Sequence, residues 1–526
     1  SSRFSCTAVV AQSMATILGY VCWHVTTIVL LCQGAAGQIY AFEDVPVPVR
    51  RSLETLYAFY VYEHSEAPDT SQGLPFVKFH DIKAFPPGKL NGTELYAGIQ
   101  VLIIHFAKFW DLLNPNQFCC TDSDVQKSSC KEKGKLMFDT KRIDGKKMEE
   151  IGVYPHDVGF LSGADVQDET QTIRQTGVYI LAVSNCGEHG EATLQGSVVV
   201  KNAYGFLPGN EYNNIPFYGY LMMCYGVLTL VWFVQSVRFW RDLVNIQNCI
   251  SVVVLLGLVE AFIWYMFFNQ WNESGVRGRT LFVLAIMSSV LKSVTSYVLV
   301  LVASLGWGVT RPYLDHSVVV RIQTLCVSYI ILEFIREAVL SFKHSHSLSV
   351  TFIVLCLMPV SLLNGVFFYW TFSGLSNLIH TLRERGQLDK LQLFQRLWNF
   401  LMVVLVIMTI TLLSQIYNFR EGVSEKWKHH WFYADGIPHI LYVLILTVIM
   451  FLWAPSNNNQ RYAYNAGPQK GSPRAIDDSA WDDDDDDEPD DFWTAPAKGS
   501  GTSSLQEKRR GQAEPKATPI GSLSSV

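Results

Sequence analysis

Signatures of catalysis are what this chain most clearly lacks. It has no Gly-x-Ser-x-Gly elbow, no His-Glu-x-x-His pair, no phosphate-binding loop and no Gly-x-Gly-x-x-Gly turn opening a helix. Its intramembrane residues lack the paired acids of an intramembrane protease, so no catalytic residue and no enzymatic activity are expected. Charge is scarce: 17% of 526 residues are Asp, Glu, Lys or Arg, with a net charge of −6. Without a basic patch interleaved with aromatics, a nucleic-acid partner is not expected. The cysteines show no Cys-x-x-Cys spacing, which leaves a zinc site only as a rival to disulfides. No metal and no cofactor are expected.

What the chain does have is apolar length. A polar, cysteine-bearing block of about 170 residues is followed by seven apolar spans, at 218–237, 249–268, 281–305, 318–340, 348–378, 397–417 and 437–453. A helix needs about 20 mostly apolar residues to cross a bilayer, which these approach, although the last is short. The fourth is the weakest, because Arg321, Glu333, Arg336 and Glu337 interrupt it. Glu333 and Arg336, three apart, share a helix face and can pair. The expected class is an α-helical membrane protein with a folded domain ahead of a seven-helix bundle. Its divisions are a signal peptide at 1–37, a lumenal domain at 38–209, the bundle at 210–455 and a tail at 456–526.

The first segment reads as a secretory signal. Arg3 supplies a positive start, an apolar stretch runs over about residues 15–31, and Ala35 and Gly37 precede Gln38. The alternative is an uncleaved signal anchor, against which His24 and the short core argue. The polar block reads as β-rich. The β-branched runs at 178–183 and 196–200, and the run at 102–106, are short and set off by turn residues. Together with cysteines they suggest an antiparallel β-sandwich. The charged stretch 127–150 reads as a loop.

Four cysteines lie in the block: Cys119, Cys120, Cys130 and Cys186. An even set in a translocated domain suggests two disulfides. Adjacent cysteines rarely pair, so Cys119 and Cys120 are each expected to take Cys130 or Cys186. Cys224, Cys249, Cys326 and Cys356 fall in spans and read as small buried hydrophobes. Asn91 and Asn272 begin N-glycosylation sequons.

Orientation follows from the signal, the cysteines and Asn272, since the Lys and Arg of the short loops divide almost evenly. Two crossings separate Asn272 from the polar block, which puts both in the lumen. Seven crossings leave the C-terminus in the cytosol.

Charged side chains within spans are costly and face a bundle interior or water. Glu260 and Lys292 lie near the middle of the second and third spans. They read either as one structural ion pair or as the polar lining of an ion path or ligand pocket. Asp435 and His439, four apart at the start of the last span, can orient one another or line a cavity, completing a candidate intramembrane polar site. His429 and His430 stand among Trp427, Trp431 and Phe432, which reads as an interfacial aromatic belt more readily than as a pH sensor. The tail is rich in Asn, Gly, Ser, Pro and Asp, and is expected to be disordered. Its densest run is Asp482, Asp483, Asp484, Asp485, Asp486, Asp487 and Glu488, flanked by Trp481, Phe492 and Trp493. That run is either a solvated tail or an acidic sorting signal for cytosolic coat adaptors.

Three stretches carry a family resemblance. Ser304-Leu305-Gly306-Trp307-Gly308-Val309-Thr310-Arg311-Pro312 ends the third span, and Trp240-Arg241-Asp242-Leu243 with Ile246-Gln247 follows the first. The last span exits through Leu452-Trp453-Ala454-Pro455-Ser456-Asn457-Asn458-Asn459-Gln460-Arg461-Tyr462-Ala463. These resemble the GOLD-domain seven-transmembrane family, also called lung seven-transmembrane receptor-like proteins, and in the exit motif its Golgi branch, the transmembrane-protein-eighty-seven group. The end of the polar block, Gly177-Val178-Tyr179, Asn185-Cys186 and Gly205-Phe206-Leu207-Pro208, fits more loosely. Two departures stand out: Ala454 replaces a usual Arg, and Ser293 follows Lys292 where a second basic residue is common.

The resemblance implies a GOLD-like β-sandwich on a seven-helix bundle, Golgi residence, and a part in endosome-to-Golgi retrieval, with cycling through endosomes and the cell surface. The likeness of the bundle to that of the Wnt-cargo carrier Wntless implies lumenal cargo proteins as partners, beside membrane lipids. A Golgi cation channel or channel subunit is the alternative. A G-protein-coupled receptor is a weaker one, since neither Asp-Arg-Tyr nor Asn-Pro-x-x-Tyr is present.

Overall fold

The computed structural model describes residues 38–455, except 50, 86–95, 115–116, 128–129, 140–146, 161–167, 188–191, 242, 308–309, 311–313, 346–349 and 421–426. The first of its two parts is a β-domain of eight strands: β1 (Ile39–Pro46), β2 (Leu53–Val61), β3 (Phe76–Phe85), β4 (Tyr96–His105), β5 (Val153–Phe160), β6 (Glu169–Thr172), β7 (Gly177–Asn185) and β8 (Thr193–Lys201). The runs expected at 178–183 and 196–200 lie within β7 and β8. The run at 102–106 lies in β4 except Phe106, which opens a short helix, α1 (Phe106–Leu112).

The strands follow one hydrogen-bonded path, β1-β8-β3-β5-β4-β7-β2, with β6 attached to β3. All pairings are antiparallel except β3 with β5, which share two parallel pairs, Lys83 with Gly159 and Ala84 with Phe160. The expected sandwich is therefore one sheet curled on itself. Its two ends meet: the Tyr40 ring on β1 lies 4.7 Å from Tyr57 and 6.0 Å from Phe59 on β2. Bulges supply the bend, in β1 between Phe42 and Val45, in β3 between His80 and Lys83, and in β4 between Tyr96 and Ile99. The two bulges of β1 and β3 place Asp44 and Asp81 in the left-handed region, at φ of 53° and 49°. Alternating residues of both layers, among them Phe42, Phe59, Phe79, Val101, Tyr154, Leu181 and Val198, fill the interior.

Two disulfides stitch the loop outside the curl, Cys119–Cys186 and Cys120–Cys130. The charged stretch after them is mostly without regular structure among the described residues, apart from one turn of 3-10 helix at Met148–Ile151. Inside the loop closed by Cys120–Cys130 a second short helix, α2 (Asp122–Gln126), is started by a Thr121–Asp124 capping box.

The second part is helical: α3 (Asn214–Arg238), α4 (Asn245–Ser274), α5 (Arg279–Ser304), α6 (His316–Ser345), α7 (Val350–Glu384), α8 (Leu388–Arg420), a short α9 (Trp427–Trp431), a π-helical turn (Phe432–Gly436) and α10 (Ile437–Leu452). Each of the seven apolar spans overlaps one helix, α3 to α8 and α10. Among the described residues five helices are long and apolar enough to cross a membrane, and α10 is a shorter apolar one. The fourth span, α6, is among the five despite its charges, and Glu333 meets Arg336 at 2.6 Å. Wide apolar faces of α3, α7 and α8 are exposed, including Phe233, Leu362 and Leu412, as a bilayer requires.

Candidate functional site

Glu260 on α4 and Lys292 on α5 come together as a direct ion pair, their side chains 2% and 6% exposed. Two charges taken out of water stay charged only when paired and hydrogen-bonded. The Lys292 ammonium also sits 4.4 Å above the Tyr442 ring of α10, a cation–π contact. Ser296, one turn beyond Lys292, donates to the Lys292 carbonyl at 2.6 Å. Its single proton is thus committed, and the Tyr442 hydroxyl donates to it in turn.

His439 precedes Tyr442 by three residues on α10 and is within electrostatic reach of both Glu260 and Lys292. Its ring lies edge-on to Tyr218 at 5.5 Å and to Phe217 at 6.0 Å. The spacing of Asp435 and His439 suggested a side-chain pair. Instead the Asp435 backbone carbonyl, inside the π-helical turn, lies 2.8 Å from His439 Nδ1. The carbonyl can only accept, so Nδ1 carries a proton. Of the four residues expected to form an intramembrane polar site, Glu260 and Lys292 touch, His439 is close, and Asp435 orients His439 through its backbone.

Around this cluster the packing is tight. Tyr225 of α3 is fully buried against Gly257 of α4, where any Cβ would overlap its ring. Trp264 Nε1 donates to Ser289 Oγ at 2.9 Å, and Trp232 Nε1 to Ser251 Oγ at 2.8 Å. Polar side chains that would be costly in hydrocarbon thereby tie α3 to α4 and α4 to α5.

A second constellation joins the β-domain to the bundle, and it centres on Asn272. This residue stands in the last turn of α4, half-buried, on the same side of the bundle as the β-domain. Its Nδ2 donates to the Tyr204 carbonyl at 2.9 Å, and its Oδ1 accepts from the Leu207 amide at 3.1 Å. Its own carbonyl accepts from the Phe206 amide at 2.9 Å. The approach is close enough that Gly205, at φ +140°, has no room for a Cβ beside Asn272. Asn202 extends the network, donating to the Leu207 carbonyl at 3.0 Å and accepting from the Tyr62 amide at 3.1 Å.

Trp427 is the other fastener. The sequence places it in an interfacial belt, but it is 6% exposed and packs on Tyr60 and Tyr62 of the β-domain, at 5.3 and 4.9 Å. Lys428 Nζ reaches Glu66 at 2.9 Å and lies 5.4 Å over the Tyr62 ring. The Lys428 hydrogen bond, helped by Thr176, holds the Glu66 carboxyl below its ordinary range. Burial, with Glu66 nearby, pushes the Tyr62 phenol up to about 12. His429 is exposed.

The family-like stretches are structural ties at the opposite end of the bundle. Gln247 Oε1 accepts from the Val244 amide at 3.0 Å, capping α4, while its Nε2 donates to the Trp453 carbonyl at 3.0 Å. Trp453 itself is buried against Phe394. After α5, Gly306 takes φ +76° and Trp307 N donates to the Val302 carbonyl at 3.2 Å, the six-to-one bond of a Schellman cap. Gln247→Ala removes the partner of a buried carbonyl and a cap, so it is expected to destabilise the bundle by about 1–3 kcal/mol. Thermal unfolding in detergent reads this, and an unchanged midpoint contradicts it.

Other sequence-derived sites fall elsewhere. Cys119, Cys120, Cys130 and Cys186 form the two disulfides already given. Cys224 and Cys326 are free thiols, but Cys249, read as a small buried hydrophobe, is buried and disulfide-bonded. The signal segment, Asn91 and the acidic run Asp482 to Glu488 lie outside the described residues. Among the described residues, no group of His, Cys, Asp or Glu has the arrangement of a metal site. The sequence reading missed Asn272 as a fastener, Trp427 as a domain contact, and the Ser296–Tyr442 support of Lys292.

These features define a class: a multi-pass membrane protein whose curled β-domain is fastened directly to a helical bundle. Residues 213–460 match the family model described as GOST, seven transmembrane domain. The helical part of the chain is thus similar to the seven-transmembrane domain of that family. The chain is similar to Transmembrane protein 87A of Xenopus tropicalis, 29% identical over 292 residues, which cover 55% of this chain and 53% of that protein. It is 30% identical over 308 residues to Transmembrane protein 87B of Mus musculus, covering 57% and 53%. It is 23% identical over 316 residues to Membrane protein PTM1 of Saccharomyces cerevisiae, covering 57% and 58%. The chain spans about half the length of the curated relatives it matches.

Proposed function

We propose that this protein is a Golgi-membrane trafficking factor in vesicular, endosome-to-Golgi transport, presenting its β-domain to lumenal cargo from a fixed position on the bundle. The observation that carries this reading is the junction at Asn272 and Trp427. A domain hydrogen-bonded and packed onto its bundle transmits load and orientation in a way that a tethered domain does not. The similarity to the Transmembrane protein 87 group supports it. In this scheme the β-domain is lumenal, the C-terminus cytosolic, and the acidic run offers coat adaptors a peptide. No step requires catalysis.

The test is retention of Golgi glycosyltransferases and recycling cargo in cells lacking the protein, with the intact chain added back. Loss that the intact chain reverses is expected. Normal retention without the protein overturns the reading. Deletion of 482–491 tests the tail separately: unchanged distribution would remove its role as a sorting signal.

A second reading is a cation channel. It is favoured by the buried polar groups Glu260, Lys292 and His439, together with the Tyr225 and Thr229 hydroxyls of α3, which find no hydrogen-bond partner among the described residues. Against it, Glu260 and Lys292 neutralise one another and are closed to water. Currents from the purified protein in planar bilayers, altered by Glu260→Gln and Lys292→Ala, would favour conduction.

A further inference from the structure

Asn272 opens the triplet Asn272-Glu273-Ser274, and in the folded chain all three of these side chains are engaged. The Asn272 carboxamide is held at both ends by the 204–207 segment of the β-domain. Its Nδ2 donates to the Tyr204 carbonyl at 2.9 Å, and its Oδ1 accepts from the Leu207 amide at 3.1 Å. Glu273 Oε1 accepts from Asn269 Nδ2 at 3.0 Å. The Ser274 hydroxyl shares its proton between the Gln270 and Val276 carbonyl oxygens, at 2.8 and 3.0 Å, and accepts from the Val276 amide at 3.3 Å. The triplet therefore lies wound into the last turn of α4.

N-glycosylation asks for the opposite arrangement. The acceptor nitrogen displaces a lipid diphosphate from C1 of a lipid-linked oligosaccharide. A bond forms between Nδ2 and C1, the bond from C1 to the diphosphate oxygen breaks, and Nδ2 gives up one proton. The nitrogen must face the transferase, which also reads the hydroxyl two residues on, so such triplets belong to accessible loops. At the closed junction Nδ2 faces the Tyr204 carbonyl instead. Room is missing as well. Gly205, at φ +140°, could not carry even a Cβ without overlapping the Asn272 carboxamide. A sugar ring is several times larger, and on Nδ2 it would stand where residues 204–207 dock.

We propose that Asn272 is a conditional N-glycosylation site. The docked β-domain shields its carboxamide from transfer; a chain whose junction has not closed takes the glycan, which then holds the junction open. This inference rests on the lumenal placement of the β-domain in the reading above. Chain order favours docking over transfer. Residues Tyr204 and Leu207 are made 68 and 65 positions before Asn272. At about 5–20 residues per second, the β-domain has about 3–13 s to fold before its acceptor is made.

The full chain made in cells, treated with N-glycosidase in heavy-oxygen water and digested to peptides, reads the site directly, since a released glycan leaves a labelled Asp at 272. Protease added to sealed microsomes reads on which side the β-domain lies. In the wild type, Asn272 is expected to stay unmodified. Two variants open the junction by different routes. Gly205→Ala forces a Cβ into the contact, whereas Trp427→Ala removes the packing on Tyr60 and Tyr62 and leaves both the triplet and 204–207 intact. Each is expected to raise the glycan-bearing share at least about tenfold, the change in population that one or two kcal/mol brings. Ser274→Ala added to either should abolish the rise. Within one sample, glycan-bearing chains should be cut at 202–210 and glycan-free chains should resist, a comparison that holds even where a variant folds incompletely.

A wild type that carries the glycan at Asn272 overturns the proposal. So do variants whose junction is open to protease, and whose β-domain is protected inside the microsomes, yet which stay unmodified at Asn272; the membrane, not the β-domain, would then be the shield. A β-domain cut from outside the microsomes overturns the lumenal placement itself, and the trafficking reading with it.

Discussion

Lys292→Ala is expected to destabilise the folded bundle by about 3–5 kcal/mol, because it leaves the Glu260 carboxylate buried without its partner. Glu260→Ala should act alike, leaving the ammonium with only the Tyr442 ring. The pair Glu260→Leu with Lys292→Met removes both charges while keeping volume, and should recover most of the loss. Such non-additivity is what a buried pair in direct contact requires. Unfolding of the purified protein, followed by tryptophan fluorescence, measures it. Single variants within about 0.5 kcal/mol of the wild type would mean that Glu260 and Lys292 are not a structural pair.

Asn272→Ala is expected to cost about 2–4 kcal/mol, since it strands the Tyr204 carbonyl and the Leu207 amide at a half-buried junction. The same residue begins a sequon, so glycosylation offers a competing explanation for any effect. Ser274→Ala separates the two. It abolishes the sequon but removes only bonds local to the end of α4, to the Gln270 and Val276 carbonyls and from the Val276 amide. If Asn272 works as a fastener, Ser274→Ala stays near wild type while Asn272→Ala frees the β-domain to proteolysis at residues 202–210. Equal effects of both would point to the glycan instead.

The parts of this fold that were legible in the sequence are those set by local or one-dimensional physics. Hydrocarbon demands length and apolarity, which the spans from 218 to 453 display openly. β-Branched runs and turn residues mark β7 and β8, and the adjacency of Cys119 and Cys120 dictates that each finds a distant partner. What escaped depends on where remote segments meet. Trp427 has the composition of a lipid-facing belt residue, and only the docked β-domain turns it inward. Asn272 looks like a glycan acceptor because its partners, Tyr204 and Leu207, lie more than sixty positions away. Gln247 and Trp453, 206 residues apart, could be recognised as motifs but not as partners. Helical spacing of Asp435 and His439 suggested a side-chain pair, and the π-helical turn replaced the carboxylate by a backbone carbonyl.

Trafficking is expected to depend on the β-domain and the bundle acting as one fastened unit. Its most direct test is glycosyltransferase retention in cells lacking the protein, complemented with the intact chain, with Ser274→Ala or with Asn272→Ala at matched expression. The first two are expected to restore retention, whereas Asn272→Ala, although delivered to the same membranes, is not. Full restoration by Asn272→Ala, with its junction shown to be open by proteolysis, would contradict it.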